Sequence, residues 1–180
     1  MKKIILSTLC AGVLVIPTMA DVFDDNKQGF IIGLGIGATS VSTDVNFKNS
    51  TDLDERKFGL ATSFKLGYGF NDQLSLYYTN QVDWYKFKGE STTLGLTGIG
   101  VDYYFDNNSP FYSTTMIGFG TISDIKDNSI SRGFAYELGL GYDIAPHMSV
   151  EASYMNVNID EKTADVDTGS FRVKFNYTWY

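Results

Sequence analysis

Phe134-Ala135-Tyr136-Glu137-Leu138-Gly139-Leu140-Gly141-Tyr142 changes character at every step. The even positions are bulky and apolar. The odd positions are small or charged. A period of two puts successive side chains on opposite faces of a β-strand, so this stretch, extended to Gly133–Asp143, predicts a strand with two unlike faces. One face is an apolar stripe and the other is mostly glycine around one carboxylate.

Working outward, the same pattern recurs seven times. Toward the C-terminus, Met148, Val150, Ala152 and Tyr154 alternate with Ser149, Glu151, Ser153 and Met155. Phe171, Val173, Phe175, Tyr177 and Trp179 then alternate with Ser170, Arg172, Lys174, Asn176 and Thr178. Toward the N-terminus the candidates are Gly29–Thr39, Phe58–Phe70, Leu74–Tyr85, Thr92–Phe105 and Phe111–Thr121. The fourth of the eight changes phase between Leu94/Leu96 and Ile99/Val101, which predicts a β-bulge near Gly98.

The joints alternate in kind. Asn71–Gln73, Asp106–Pro110 and Ala145–His147 are short and turn-rich. Ser40–Lys57, Lys86–Ser91, Ile122–Arg132 and Asp160–Gly169 are mostly longer and polar, and read as loops. Eight dyad strands with short turns at one end and long loops at the other predict an all-β fold, an eight-stranded antiparallel transmembrane β-barrel.

A soluble barrel with the apolar face inward would show the same period. The glycines argue against it. Gly33, Gly35, Gly37, Gly59, Gly67, Gly69, Gly139 and Gly141 share the charged face. On a solvent face they would only weaken strands, but inside a narrow barrel they make room for long side chains from neighbouring strands. Tyr68, Phe70, Tyr103, Tyr104, Phe105, Phe111, Tyr112, Tyr142, Trp179 and Tyr180 gather at the short-turn end as an interfacial girdle, with Trp84 and Tyr85 assigned to a second girdle at the loop end.

The first twenty residues read as a cleaved signal peptide. Lys2 and Lys3 precede an apolar run from Ile4 to Ile16, Pro17 breaks it, and Thr18-Met19-Ala20 offers a cleavage site. The run is short of the roughly 20 residues of a spanning helix. Cys10, the one cysteine of the 180-residue chain, lies in this leader. Residues 21–180 are then a single barrel domain, with Asp21–Gln28 as a periplasmic lead-in, exported to the outer membrane.

Leader, eight dyad strands and aromatic C-terminus resemble the small outer-membrane β-barrel proteins, among them the transmembrane domain of outer membrane protein A and the proteins X and W. The closing residues Phe175, Tyr177, Trp179 and Tyr180 resemble the C-terminal signal read by the barrel assembly machinery, although the outward phase ends at Trp179. The resemblance implies outer-membrane lipid and lipopolysaccharide as surroundings and the assembly machinery as a partner during biogenesis; the sequence leaves the oligomeric state open, with a monomer favoured.

Chemistry-bearing residues are few. The lone histidine, His147, sits in a tight turn at the end away from the outer leaflet and has no nucleophile beside it, so it reads as a turn residue. No metal, nucleotide or hydrolase motif occurs, and no cofactor is expected. With 14 Lys+Arg against 21 Asp+Glu, the chain does not suit a nucleic acid. The six inward charges Lys65, Asp83, Glu137, Glu151, Arg172 and Lys174 are the candidate site. Buried charges need partners, so they predict a salt-bridge network in the lumen. Counting through the turns puts Glu137 opposite Met155 and Met155 opposite Lys174, which leaves Glu137 and Lys174 about 10 Å apart and within reach of each other. The expected function is non-enzymatic, envelope-structural or surface-interacting. The alternatives are a narrow channel for small or hydrophobic solutes and, more remotely, a lipid A-modifying enzyme.

Overall fold

The computed structural model describes residues 27–47, 53–87, 90–106, 109–124, 129–160 and 164–180. The leader and its cleavage site lie outside them. Eight strands follow one another: β1 Gly29–Phe47, β2 Leu53–Gly69, β3 Leu74–Phe87, β4 Glu90–Tyr104, β5 Phe111–Asp124, β6 Ser129–Ala145, β7 Met148–Asp160 and β8 Ala164–Trp179. Each pairs antiparallel with the next, and β1 also pairs with β8, which closes the barrel. Closure leaves no open sheet edge among these strands, the condition for placing β-structure in hydrocarbon.

The alternation sorts the faces as expected. Phe30, Leu34, Ile36, Phe58, Leu138, Leu140 and Phe171 stand outward and exposed. In water such a surface would be an aggregation hazard, whereas in a bilayer it is solvated by lipid. At the turn end Tyr68 and Phe70 meet edge to face at 5.7 Å, and Phe111 and Tyr142 at 4.8 Å. Both girdles are smaller than the sequence implied. Tyr104, Tyr112 and Tyr85 are buried inside the barrel. Each follows or precedes another aromatic, and strict alternation lets only one of two neighbours face lipid.

Three further expectations are corrected. First, β4 carries no bulge near Gly98. Its register runs without a break from Leu74↔Tyr103 to Phe87↔Glu90, and Leu94 and Leu96 point inward, fully buried. The register shift instead lies between Asp143 and Ala145, beside the Pro146-His147 turn. Second, the four long joints are mostly strand. Ser42 pairs with Arg56 and with Gly169, so polar segments read as loops continue the ladder. Nine to eleven tilted residues suffice to cross a bilayer. Strands of up to 19 residues therefore project past it. Third, Met155 faces Ser170, and Lys174 faces Glu151. The assumed loop length had shifted β8 by four positions.

The topology yields a labelling prediction. Single cysteines at Asn49, Asn128 and Thr163 should react with an impermeant thiol reagent on intact cells, and cysteines at Asp72 and Asn107 should not. Only Asp72 of these five lies within the described residues. Labelling at Asp72 would reverse the orientation.

Candidate functional site

The inward charges form one zigzag of ion pairs. Asp83 on β3 pairs with Arg172 on β8 at 3.0 Å. Arg172 reaches Glu137 on β6 at 2.8 Å, and Glu137 reaches Lys174 on β8 at 3.0 Å. Lys174 continues to Glu151 on β7 at 2.9 Å, Glu151 to Lys65 on β2 at 3.3 Å, and Lys65 to Asp102 on β4 at 3.0 Å. All six residues singled out from the sequence belong to this chain. Arg172, Lys174, Asp83, Glu137 and Glu151 are sealed from solvent. Charges taken out of water cost several kcal/mol each unless opposed and hydrogen-bonded. Here every cation lies between two carboxylates, and the inner carboxylates Glu137 and Glu151 each lie between two cations.

Neutral side chains complete the network. Gln81 Oε1 accepts from Lys174 at 2.8 Å and from Arg172 at 3.3 Å, while its amide nitrogen donates to Thr79 at 2.9 Å. Ser170 donates to Asp83. At the other end Tyr77 donates its hydroxyl to Asp102 at 2.6 Å, and Tyr112 donates to Glu151 at 3.3 Å. Glycines admit these rings. A Cβ on Gly141 would lie 1.9 Å from the Tyr112 ring, and one on Gly100 would lie 2.4 Å from that of Tyr77.

Asp102 was not among the residues chosen from the sequence. The supposed bulge had hidden its phase. The signal was present, because Ile99, Val101 and Tyr103 face outward and place Asp102 inward. Lys27 was missed as well, since the lead-in has no periodicity. It pairs with Asp143 at 3.1 Å and lies 3.5 Å over the Tyr104 ring, while its backbone N–H donates to Asp72. Lys27 thus lies across the turn-end mouth. Behind it remains a polar recess of about 230 Å³ reaching Lys65, Asp102 and Asn176.

On the loop side the bore is apolar. Val41, Tyr85, Leu94, Leu96, Val157 and Ile159 pack into one buried cluster. Inward of that recess the described part of the lumen is filled, by an ionic layer toward the turns and an apolar layer toward the loops. His147 stands outside it. Its Nδ1–H donates to the Thr178 carbonyl at 2.9 Å, its φ of 65° makes the turn, and its ring packs on Tyr177 and Tyr180. No cluster of metal-ligating residues occurs among the described residues. Phe175, Tyr177 and Trp179 share the outward phase of β8, with Tyr177 and Trp179 rings 4.5 Å apart. Tyr180 ends the chain at the mouth recess.

The direct pair allows a double-mutant test. Glu137→Ala and Lys174→Ala should each destabilise the barrel in a denaturant titration, and the double variant should lose less than the sum by at least about 0.5 kcal/mol. Additive losses would show that the two side chains do not interact.

A search of curated proteins found no match. Solved structures of similar shape do exist. Ail, the attachment invasion locus protein of Yersinia pestis, aligns at 16% identity with a TM-score of 0.57, over 83% of this chain and 98% of that one. Neisserial surface protein A aligns at 18% identity with a TM-score of 0.52, over 80% and 96%. OprG from Pseudomonas aeruginosa aligns at 15% identity with a TM-score of 0.53, over 87% and 99%. At these identities the likeness is one of fold. The model of the outer membrane protein beta-barrel domain matches residues 6–178, nearly the whole chain. The closed eight-stranded barrel, its lipid-facing apolar wall and this match together make the chain a member of the outer membrane protein β-barrel domain family.

Proposed function

We propose that the protein is a sealed, non-catalytic outer-membrane barrel whose role lies on its outside, in envelope structure or in contact with a surface partner. The observation that carries this reading is the filled lumen. Arg172, Lys174, Glu137, Glu151, Gln81, Leu94, Leu96, Met116 and Met155 are all fully buried across the bore. A solute would have to break paired charges and displace close-packed side chains to pass. The strands that project beyond the membrane offer backbone-rigid surfaces on which contacts could be built. Export through a leader cleaved after Ala20, insertion guided by the aromatic C-terminus, and a monomeric state complete the proposal.

Two measurements test it. In planar bilayers the wild-type barrel should give no stepwise conductance at moderate voltage. Regular openings would favour the narrow-channel reading and overturn the sealed one. Separately, the first and fourth of the long joints, those of the β1–β2 and β7–β8 hairpins, can be replaced by short Gly-containing turns. That variant should keep heat-modifiable mobility, because closure resides in the strand ladders, but lose surface interaction. Full envelope function without these joints would exclude a surface partner bound there.

A further inference from the structure

Charge is distributed unevenly on the outward face. Near the loop end Phe58, Trp84 and Phe134 face lipid. Two residues further toward the loops, on the same face of the same strands, stand Arg56, Lys86 and Arg132, all exposed. Toward the turn end the outward face carries no Lys or Arg among the described residues, and Lys27 turns onto Tyr104 in the mouth. The lipid-facing wall thus presents cations at one membrane boundary, immediately outside aromatic side chains that mark the edge of the hydrocarbon.

Arg132 differs from the other two in what lies beneath it. On β4 the outward positions Gly95 and Thr97 are small, and they stand beside Thr121 and Phe119 of β5. The inward pair Gly98↔Gly118 thins the wall at the same height. Phe119 is left 76% exposed. The result is an open groove of about 960 Å³ between Thr97, Ile99, Ile117, Phe119 and Phe134, with Arg132 at its loop-end rim. A guanidinium at a water–hydrocarbon boundary is a five-donor fork suited to phosphate oxygens. An apolar groove running away from it into the membrane suits an acyl chain.

We propose that this groove is a lipid site. One acyl chain of a phosphorylated outer-leaflet lipid of the lipid A type lies against Ile99, Ile117 and Phe119, and Arg132 binds its phosphate. The proposal holds whether or not the lumen conducts, so the conductance result does not bear on it.

The test is native mass spectrometry of the refolded barrel taken from phosphatidylcholine vesicles that contain either bis-phosphorylated lipid A or the same lipid dephosphorylated. The wild type should retain one lipid A molecule and retain the dephosphorylated form at least fivefold less. Arg132→Gln should lower lipid A retention at least fivefold by removing the phosphate contact. Thr97→Trp should do the same by filling the groove, and Thr97→Leu serves if the larger ring disturbs the strand. Heat-modifiable mobility verifies that each variant is folded. Undiminished retention by Arg132→Gln or by the groove-filling variant overturns the site, and so does equal retention of the dephosphorylated lipid, which would be ordinary lipid solvation of an apolar wall.

Discussion

Arg172→Ala should destabilise the barrel by about 3–5 kcal/mol, the cost of leaving buried charges without their partner. Arg172 is fully buried, and its guanidinium is the contact shared by Asp83 and Glu137. Glu137 would keep Lys174. Asp83 would keep only the Ser170 hydroxyl among its present contacts. A buried carboxylate without its guanidinium is costly, so stability is lost. The loss should be largely recovered by Asp83→Asn/Glu137→Gln/Arg172→Met, because neutral, well-packed groups of similar volume replace buried ion networks at little cost. Urea titration in phospholipid vesicles, followed by the fluorescence of Trp84 and Trp179, measures both. A loss below about 1 kcal/mol, the range of water-exposed pairs, would mean that the lumen is wetted and its charges weakly coupled. The sealed-barrel reading would fail with it.

How far the sequence carried the fold depends on how different the two faces of each strand are. In β1, β2, β6 and β8 the outward residues are bulky and apolar and the inward residues small or charged, so the phase is unambiguous from composition alone. In β4 the inward face is itself apolar toward the loops, because Leu94 and Leu96 belong to the lumen's apolar layer. Apolarity then no longer distinguishes lipid from interior. The pattern then reads as a phase change at Gly98, which hides Asp102 from the charged face. Bulk and exposure to lipid are the same signal only while the lumen is polar.

Register was less legible than phase. A hairpin's register is set by where its strands stop pairing, and polar strand ends look like loops. Asp160 and Asp165 pair directly, so the ladder of β7 and β8 runs on where a ten-residue loop had been read. That moved Lys174 from beside Met155 to beside Glu151. The Glu137–Lys174 contact survives the correction for a reason the one-dimensional count did not contain. In a closed barrel, long inward side chains meet across the bore as well as along the wall. Lys65 and Glu151 come from strands that are not neighbours, yet lie 3.3 Å apart. Of the charged site, the membership was therefore largely readable, whereas the order of the pairs was not.

Leu96→Ala should cost about 2–5 kcal/mol, the range for a leucine truncated in a close-packed core. Leu96 is fully buried, paired in register with Gln81 and Gly120, and surrounded by side chains that backbone closure holds in place. The lumen cannot contract around the missing methyl groups, so a dry cavity should persist and the cost should fall high in that range. Leu138→Ala provides the comparison. Leu138 is 53% exposed on the outward face of β6, where mobile lipid chains can fill the vacated space, and it should lose distinctly less in the same titration. Adding Leu94→Ala to Leu96→Ala should deepen the loss, since both side chains belong to one cluster and the cavity grows with each. The contrast depends on which way β4 faces. Were its strand bulged at Gly98, Leu94 and Leu96 would point into lipid, and their truncation would match that of Leu138. Equal small losses at Leu96 and Leu138 would therefore turn this half of β4 around, empty the apolar layer from the lumen, and reopen the bore on the loop side. A large loss at Leu96 beside a small one at Leu138 keeps the layer in place, and with it the physical reason for expecting no current.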